Sequence, residues 1–159
     1  CAMNNKFLTT LSVILSTSVF SLSSLNESTA SETDLLVYKS STCRCCNAWI
    51  VHMKNNGFDN VTTKDVTNLG DIKKQYKIED EYRSCHTAVS SDGYIFEGHI
   101  PSEYITQFLT EKPANAIGLS VPGMPHGSPG MEVGNHFMPY DVLVLYKDGT
   151  SKVYAQVNR

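Results

Sequence analysis

Clustered positive charge is what this sequence lacks first: 13 Lys and Arg stand against 16 Asp and Glu, a formal net charge of −3, with no long basic run. Nucleic-acid surfaces depend on such clustering, so that class of function is excluded. Paired catalytic carboxylates, a Ser/His/Asp order and a phosphate-cradling glycine motif are also missing, which removes the chemistries they signal. Two separated pairs of Cys/His ligands, the usual structural zinc pattern, do not occur. Internal repeats are absent, and there is no proline from residue 31 to residue 100. The few basic residues at helical spacing, Lys73, Lys74 and Lys77, read as a solvated face.

Residues 1–30 differ in character from the rest. Lys6 precedes an uncharged, apolar, Ser/Thr-rich run from Phe7 to Leu22, and a polar stretch ends in Ser28-Thr29-Ala30. A basic start, a short apolar middle and a small-x-small exit make a secretory signal peptide. The competing reading is a membrane anchor, which the run's length and its Ser/Thr content disfavour. Export to the periplasm, with no stable membrane insertion after cleavage, is the expectation. Met3 reads as the natural start, which takes Cys1 out of the chemistry, and no cysteine follows the apolar run to carry a lipid. The mature chain keeps Cys43, Cys45, Cys46 and Cys85. An even cysteine count in an exported protein first suggests disulfides, and that reading stays open beside the metal.

From residue 34 onward the pattern alternates strand and helix. Asp34 to Lys39 suits a buried strand, and Cys45 to Asn55 a helix with an apolar stripe through Trp49 and Met53. Ser40, Ser41 and Thr42 offer capping hydroxyls before it, and Asn55-Asn56-Gly57 ends it. Phe58 to Val66 reads as a strand and Leu69 to Tyr76 as a second helix. Thr87 to Ser90 and Tyr94 to His99 form a hairpin about Ser91-Asp92-Gly93. Pro101 opens a third helix through about Leu109. The order β-α-β-α-β-β-α is that of a thioredoxin-like α/β domain, expected over residues 31–112. Residues 113–159 read as an extension, a long loop closed by a hairpin of Asp141 to Tyr146 and Ser151 to Val157. The loop, 113–139, holds five glycines, five prolines, Met124, His126, Met131, His136 and Met138. Loops of that length are functional or disordered as a rule.

Cys43 and Cys46 form a C-x-x-C at a strand-to-helix join, where residues three apart share a face and helix N–H groups stabilise thiolate. A disulfide oxidoreductase and a metal site need the same two sulfurs. Cys45 favours metal: a third adjacent thiol invites wrong pairing in a redox enzyme but gives a thiolate cluster another bridge. Cys85 falls where a thioredoxin has its cis-proline, and so it or His86 should face Cys43 and Cys46. Four thiolates with Met and His nearby suit Cu(I) above Zn(II). Met124 and His126 are the leading capping ligands and Met131 the next. His52 reads as packed or surface, His99 as structural, and His136 and His86 carry no assigned role.

These residues resemble the CopG-like proteins of copper-resistance clusters, a family long catalogued as a metal-binding domain of unknown function. The resemblance runs from about Asp34 to Val157. It rests on S-T-C-R-C-C at 41–46, S-C-H-T at 84–87 with G-Y-I-F-E-G-H-I-P at 93–101, and G-M-P-H-G-S-P-G-M-E at 123–132. It implies a thioredoxin-like domain with a metal-binding extension and a sulfur-bridged multicopper site using Cys43, Cys45, Cys46 and Cys85. Met124 and His126 match positions in the extension. The implied role is periplasmic copper resistance, with Cu(I)/Cu(II) interconversion by a copper oxidoreductase. A thiol–disulfide oxidoreductase and a passive chaperone that serves a copper efflux system or another periplasmic carrier are the alternatives.

Overall fold

The computed structural model describes residues 34–158, so the signal-peptide reading of residues 1–30 lies outside the described residues. Seven strands form one mixed sheet in the order β2-β1-β3-β4-β5-β6-β7. They are β1 Leu35–Lys39, β2 Val61–Asp65, β3 Thr87–Ser90, β4 Ile95–Glu97, β5 Ala116–Ser120, β6 Tyr140–Tyr146 and β7 Ser151–Val157. Helices α1 Arg44–Asn55, α2 Leu69–Gln75 and α3 Ser102–Glu111 follow β1, β2 and β4. β1 runs parallel to β2 and β4 parallel to β5, while the other neighbours are antiparallel. No helix among the described residues is long and apolar enough to cross a membrane.

Successive strand residues point to opposite faces, and the core divides accordingly. Val37, Phe96 and Val144 join Trp49, Ile50 and Met53 of α1 and Ile105 and Phe108 of α3 in the larger cluster. Their neighbours Ile95 and Leu145 pack instead with Ile78, beyond α2. Helices α1 and α3 therefore cover one face, and the end of the α2 segment reaches the other.

Three local expectations are corrected. Ala116–Ser120, read as loop, forms β5 beside β4, because an apolar A-I-G-L-S run next to an open strand edge gains a ladder of backbone hydrogen bonds. The α1 cap is Cys43 itself, whose Sγ accepts from the Cys46 N–H at 3.3 Å. The hydroxyl of Ser40 serves the preceding turn instead, accepting from the Thr42 N–H. Lys73 is no part of a solvated face: it is 5% exposed and ion-paired with the fully buried Glu97. A buried carboxylate needs such a partner, and only the fold brings the two together.

Candidate metal centre

α1 starts where β1 ends, and this junction holds three of the four cysteines. Cys43 and Cys46 are joined as a disulfide, with Cα atoms 5.4 Å apart. Cys45 and Cys85 are free thiols, both partly exposed. Cys45 Sγ lies 3.5 Å from Cys43 Sγ and 3.9 Å from Cys85 Sγ, and Cys46 Sγ lies 3.6 Å from Cys85 Sγ. All four sulfurs fall within 4.8 Å of one another. Forty residues separate Cys45 from Cys85, so the sheet order brings them together: β3, which begins just after Cys85, is the antiparallel neighbour of β1.

A network behind the sulfurs holds the Cys85 segment. The buried Glu97 carboxylate accepts from the Ser84 N–H at 2.6 Å, from the Thr87 hydroxyl at 2.6 Å and from Lys73 Nζ. Lys73 Nζ also donates to Thr87 Oγ1 at 3.2 Å. Gly98 permits the close approach: at its φ of +82°, a Cβ would meet the Ser84 side chain and the Val121 carbonyl.

Two histidines complete the centre: the sequence offers His86 only as the alternative to Cys85, and His99 reads there as structural. His99 Nε2 lies 2.9 Å from Cys85 Sγ, and His99 Nδ1 is 2.7 Å from the Pro129 carbonyl. A carbonyl only accepts, so Nδ1 carries the proton and Nε2 turns its lone pair towards the sulfur. His86 Nδ1 lies 3.4 Å from the same sulfur. The His86 ring packs 4.5 Å from Trp49, and its Nε2 is buried with no partner. The hairpin register was the signal available. Thr87 pairs with Glu97 and the Gly98 N–H donates to the His86 carbonyl, so the next step outwards sets Cys85 opposite His99.

Burial governs the titration of these groups. Desolvation, with the neighbouring Cys45 thiol, pushes Cys85 up to about 12. Desolvation lowers both histidines, His86 the further because it is wholly buried, and the Lys73 charge nearby lowers it again. The metal-free centre at neutral pH therefore holds a Cys85 thiol that donates to a neutral His99.

Residues 123–131 lie against this centre as a strap. The Gly123 N–H donates to the Arg83 carbonyl at 3.0 Å, and the Ser84 hydroxyl donates to the Gly123 carbonyl. Gly130 sits against the first turns of α1, where a Cβ would lie 2.7 Å from the Cys45 carbonyl and 2.8 Å from the Trp49 nitrogen. Met124 is 51% exposed and His126 is exposed as well. His126 belongs to neither group of metal-ligating residues, Cys43-Cys45-Cys46-Cys85 or Cys85-His86-His99, found among the described residues. His52 accepts from the Ser102 N–H at 3.1 Å, capping α3 from α1. His136 and Met138 are exposed.

The chain is similar to two solved structures, both named copper resistance protein copG. Form 2 superposes with a TM-score of 0.74 at 36% identity, covering 79% of this chain and 98% of its own. Form 1 gives a TM-score of 0.73 at the same identity and coverage. Residues 82–131 match the family described as protein of unknown function, DUF411. No curated protein matches the sequence significantly.

Proposed function

This chain belongs to the family of the copper resistance protein CopG, and from that membership we propose that it is a periplasmic copper-binding protein of copper resistance. The convergence of four sulfurs within 4.8 Å carries the proposal. Such a donor set is soft, and soft thiolates select Cu(I). Cu(I) is the cargo, and Cys43, Cys45, Cys46 and Cys85 hold and bridge it as a multinuclear thiolate cluster. The α1 N-terminus stabilises the thiolates of its first turn.

The order β2-β1-β3-β4, with a helix after β1, β2 and β4, supports reading residues 31–112 as thioredoxin-like, with 113–159 as the extension. In the extension Met124 and His126, exposed on a strap held at both ends, would meet an incoming ion and cap the cluster. The Cys43–Cys46 bond has to be opened first by a two-electron reductant such as a dithiol, whose own sulfurs are left as a disulfide and which frees two thiolates for the metal. Once loaded, the cluster would interconvert Cu(I) and Cu(II) by exchanging one electron at a time with an external electron carrier, or pass copper on to an efflux system or another carrier.

Anaerobic titration of the reduced protein with Cu(I), followed by metal analysis and a free-thiol count, tests the reading. Uptake by the reduced protein and its loss when all four cysteines become serine are expected. Undiminished uptake by the four-serine variant would remove the proposal. Whether bound copper changes oxidation state faster than a chelator extracts it separates an oxidoreductase from a passive chaperone.

One observation favours a second reading. The Cys43–Cys46 disulfide at a helix N-terminus, with free thiols 3.5 and 3.6 Å from its two sulfurs, suits a thiol–disulfide oxidoreductase. That reading requires metal-free turnover of a model disulfide, and rapid reduction of Cys43–Cys46 by glutathione or thioredoxin.

A further inference from the structure

The whole chain carries a net charge of −3, yet one cavity collects cations. It has a volume of about 390 Å³ and is walled by the C-terminal end of α2, the segment after it, and the turn from β6 to β7. Lys74, Lys77, Arg83 and Lys147 line it, against Glu79 and Asp148. Four positive side chains less two negative ones leave the cavity at +2, opposite in sign to the molecule.

The partners of these groups decide which charges face a ligand. Arg83 Nε and Nη2 donate to the Ile78 carbonyl at 3.1 and 3.0 Å, and Nη1 pairs with Asp80. Asp148 is held by its own turn, accepting from the Thr150 N–H at 3.0 Å and the Thr150 hydroxyl at 2.7 Å. Lys74, Lys77 and Lys147 form no ion pair among the described residues. Three ammonium groups from two separate elements are therefore free to meet an anion, with Glu79 the carboxylate that opposes them.

Lys77 supplies a second, independent observation. Its φ is +57°, in the left-handed region, one residue past the α2 cap. The Ile78 N–H donates to the Lys73 carbonyl at 2.9 Å and the Lys77 N–H to the Lys74 carbonyl at 3.0 Å. At a helix end of this kind the residue in the Lys77 position is usually glycine. Two other non-glycine residues have a positive φ among those described. One is Asn115, a type that tolerates it, and the other is Lys112, whose ammonium is bound by Asp92 at 2.7 Å. Lys77 bears the strain without a partner ion inside the protein, and strained residues cluster where a ligand uses them. The helix dipole favours cations at this end, but Lys73 and Lys74 already supply them, and Lys147 stands on another element.

We propose that this cavity binds a small oxyanion with at least two separated negative groups, a diphosphate or a di- or tricarboxylate. Lys74 and Lys77 take one group and Lys147 the other. Binding is purely electrostatic and hydrogen-bonded, with no covalent step, and does not rest on the copper reading.

The metal-free full-length protein, titrated at low salt with pyrophosphate, citrate and inorganic phosphate and followed by heteronuclear NMR, tests the site. Low salt is required because exposed charges are screened. Expected are shifts confined to residues 74–79, 83 and 147–149, with pyrophosphate or citrate binding several-fold more tightly than inorganic phosphate. Lys77→Gly relieves the backbone and removes a cation. Its melting temperature should not fall, while affinity drops about fivefold, the upper end for one exposed ion pair. Lys147→Ser should weaken binding by a similar factor, and Glu79→Gln should tighten it. Lys54→Ser, an equal change of net charge on the exposed side of α1, should leave binding unchanged.

Preference for pyrophosphate or for citrate tells which oxyanion is recognised, and either supports the site. No shifts with any of the three anions, equal affinity for inorganic phosphate, or equal losses in Lys54→Ser and Lys77→Gly overturn it. A response to a polyglutamate peptide alone would also overturn it, and would mark the cavity as a docking face for an acidic protein. Failure of anion binding leaves the copper reading intact, and failure of Cu(I) uptake by the reduced protein leaves this site intact.

Discussion

Cys85 Sγ and His99 Nε2 stand 2.9 Å apart because the β3–β4 register sets their residues opposite one another, although 14 positions separate them in the chain. The strap fixes the other side of the same ring, through the Pro129 carbonyl at 2.7 Å. Sulfur, imidazole and strap therefore form one connected unit.

Gly130 secures the strap against α1, and its φ of +85° disfavours a side chain as strongly as the short contacts do. Gly130→Ala should cost at least about 1 kcal/mol, the usual penalty of a left-handed conformation outside glycine. The thermal midpoint should fall by several degrees, as read by circular dichroism. An unchanged melting curve would mean that the strap is not packed against α1.

Glu97 and Lys73 are both buried, at 0% and 6% side-chain exposure, so removing one partner strands the other. Lys73→Ala should cost about 3–5 kcal/mol in urea denaturation. Glu97→Gln should also destabilise, since the carboxamide cannot neutralise Lys73. The loss should be smaller in a Lys73→Met/Glu97→Gln double variant, which leaves no buried charge. Equal losses in the single and double variants would show that the pair does not act as a unit.

His52 accepts the Ser102 N–H through its ring, and burial lowers its protonation below the usual histidine range despite Glu103 and Glu132 nearby. His86 and His99 are lowered too. Fewer protons are then bound in the folded than in the unfolded state, so the stabilisation is complete above about pH 6.5, the unfolded histidine value. It is lost progressively as pH falls below that value towards the folded ones. Denaturation midpoints of the metal-free protein should drop through this window, and less steeply in His52→Gln.

Cys85 shifts in the opposite sense. A thiol raised to about 12 retains its proton where an unfolded thiol, near about 8.5, has released it. Metal-free stability should therefore decline as pH rises from about 8.5 towards 12. Alkylation of Cys85 at neutral pH should be slow. Metal uptake must displace this proton, and for that one site the apparent affinity should rise about tenfold per pH unit across the neutral range. Metal titrations at several pH values, with proton release recorded in weak buffer, check this.

The cysteine motif and its helix were legible because both are local. Three cysteines in four residues, an apolar stripe through Trp49 and Met53, and the Asn-Asn-Gly stop lie within fifteen residues of sequence, 43–57. The Ser91-Asp92-Gly93 turn was equally local, and the structure closes it with a Ser90 N–H donating to the Tyr94 carbonyl at 2.9 Å. The strand β5 was not legible, since its five residues gain their hydrogen bonds only beside β4. Lys73 misled for a similar reason: helical spacing gives the face but not what packs on it. His99 lay between the two, because its place followed from a register that the turn already set.

By itself the sequence determined which atoms are available: four cysteine sulfurs beyond residue 30, a helix start to hold three of them, and a Met/His-bearing segment rich in glycine and proline. These follow from residue chemistry and short-range backbone preference. The tertiary structure alone decided that Cys85 closes on Cys46 at 3.6 Å, that Glu97 takes Lys73 inside, and that His99 and His86 turn towards Cys85. Those pairings depend on strand order, register and burial. They appear only once the sheet has formed and removed the competing water.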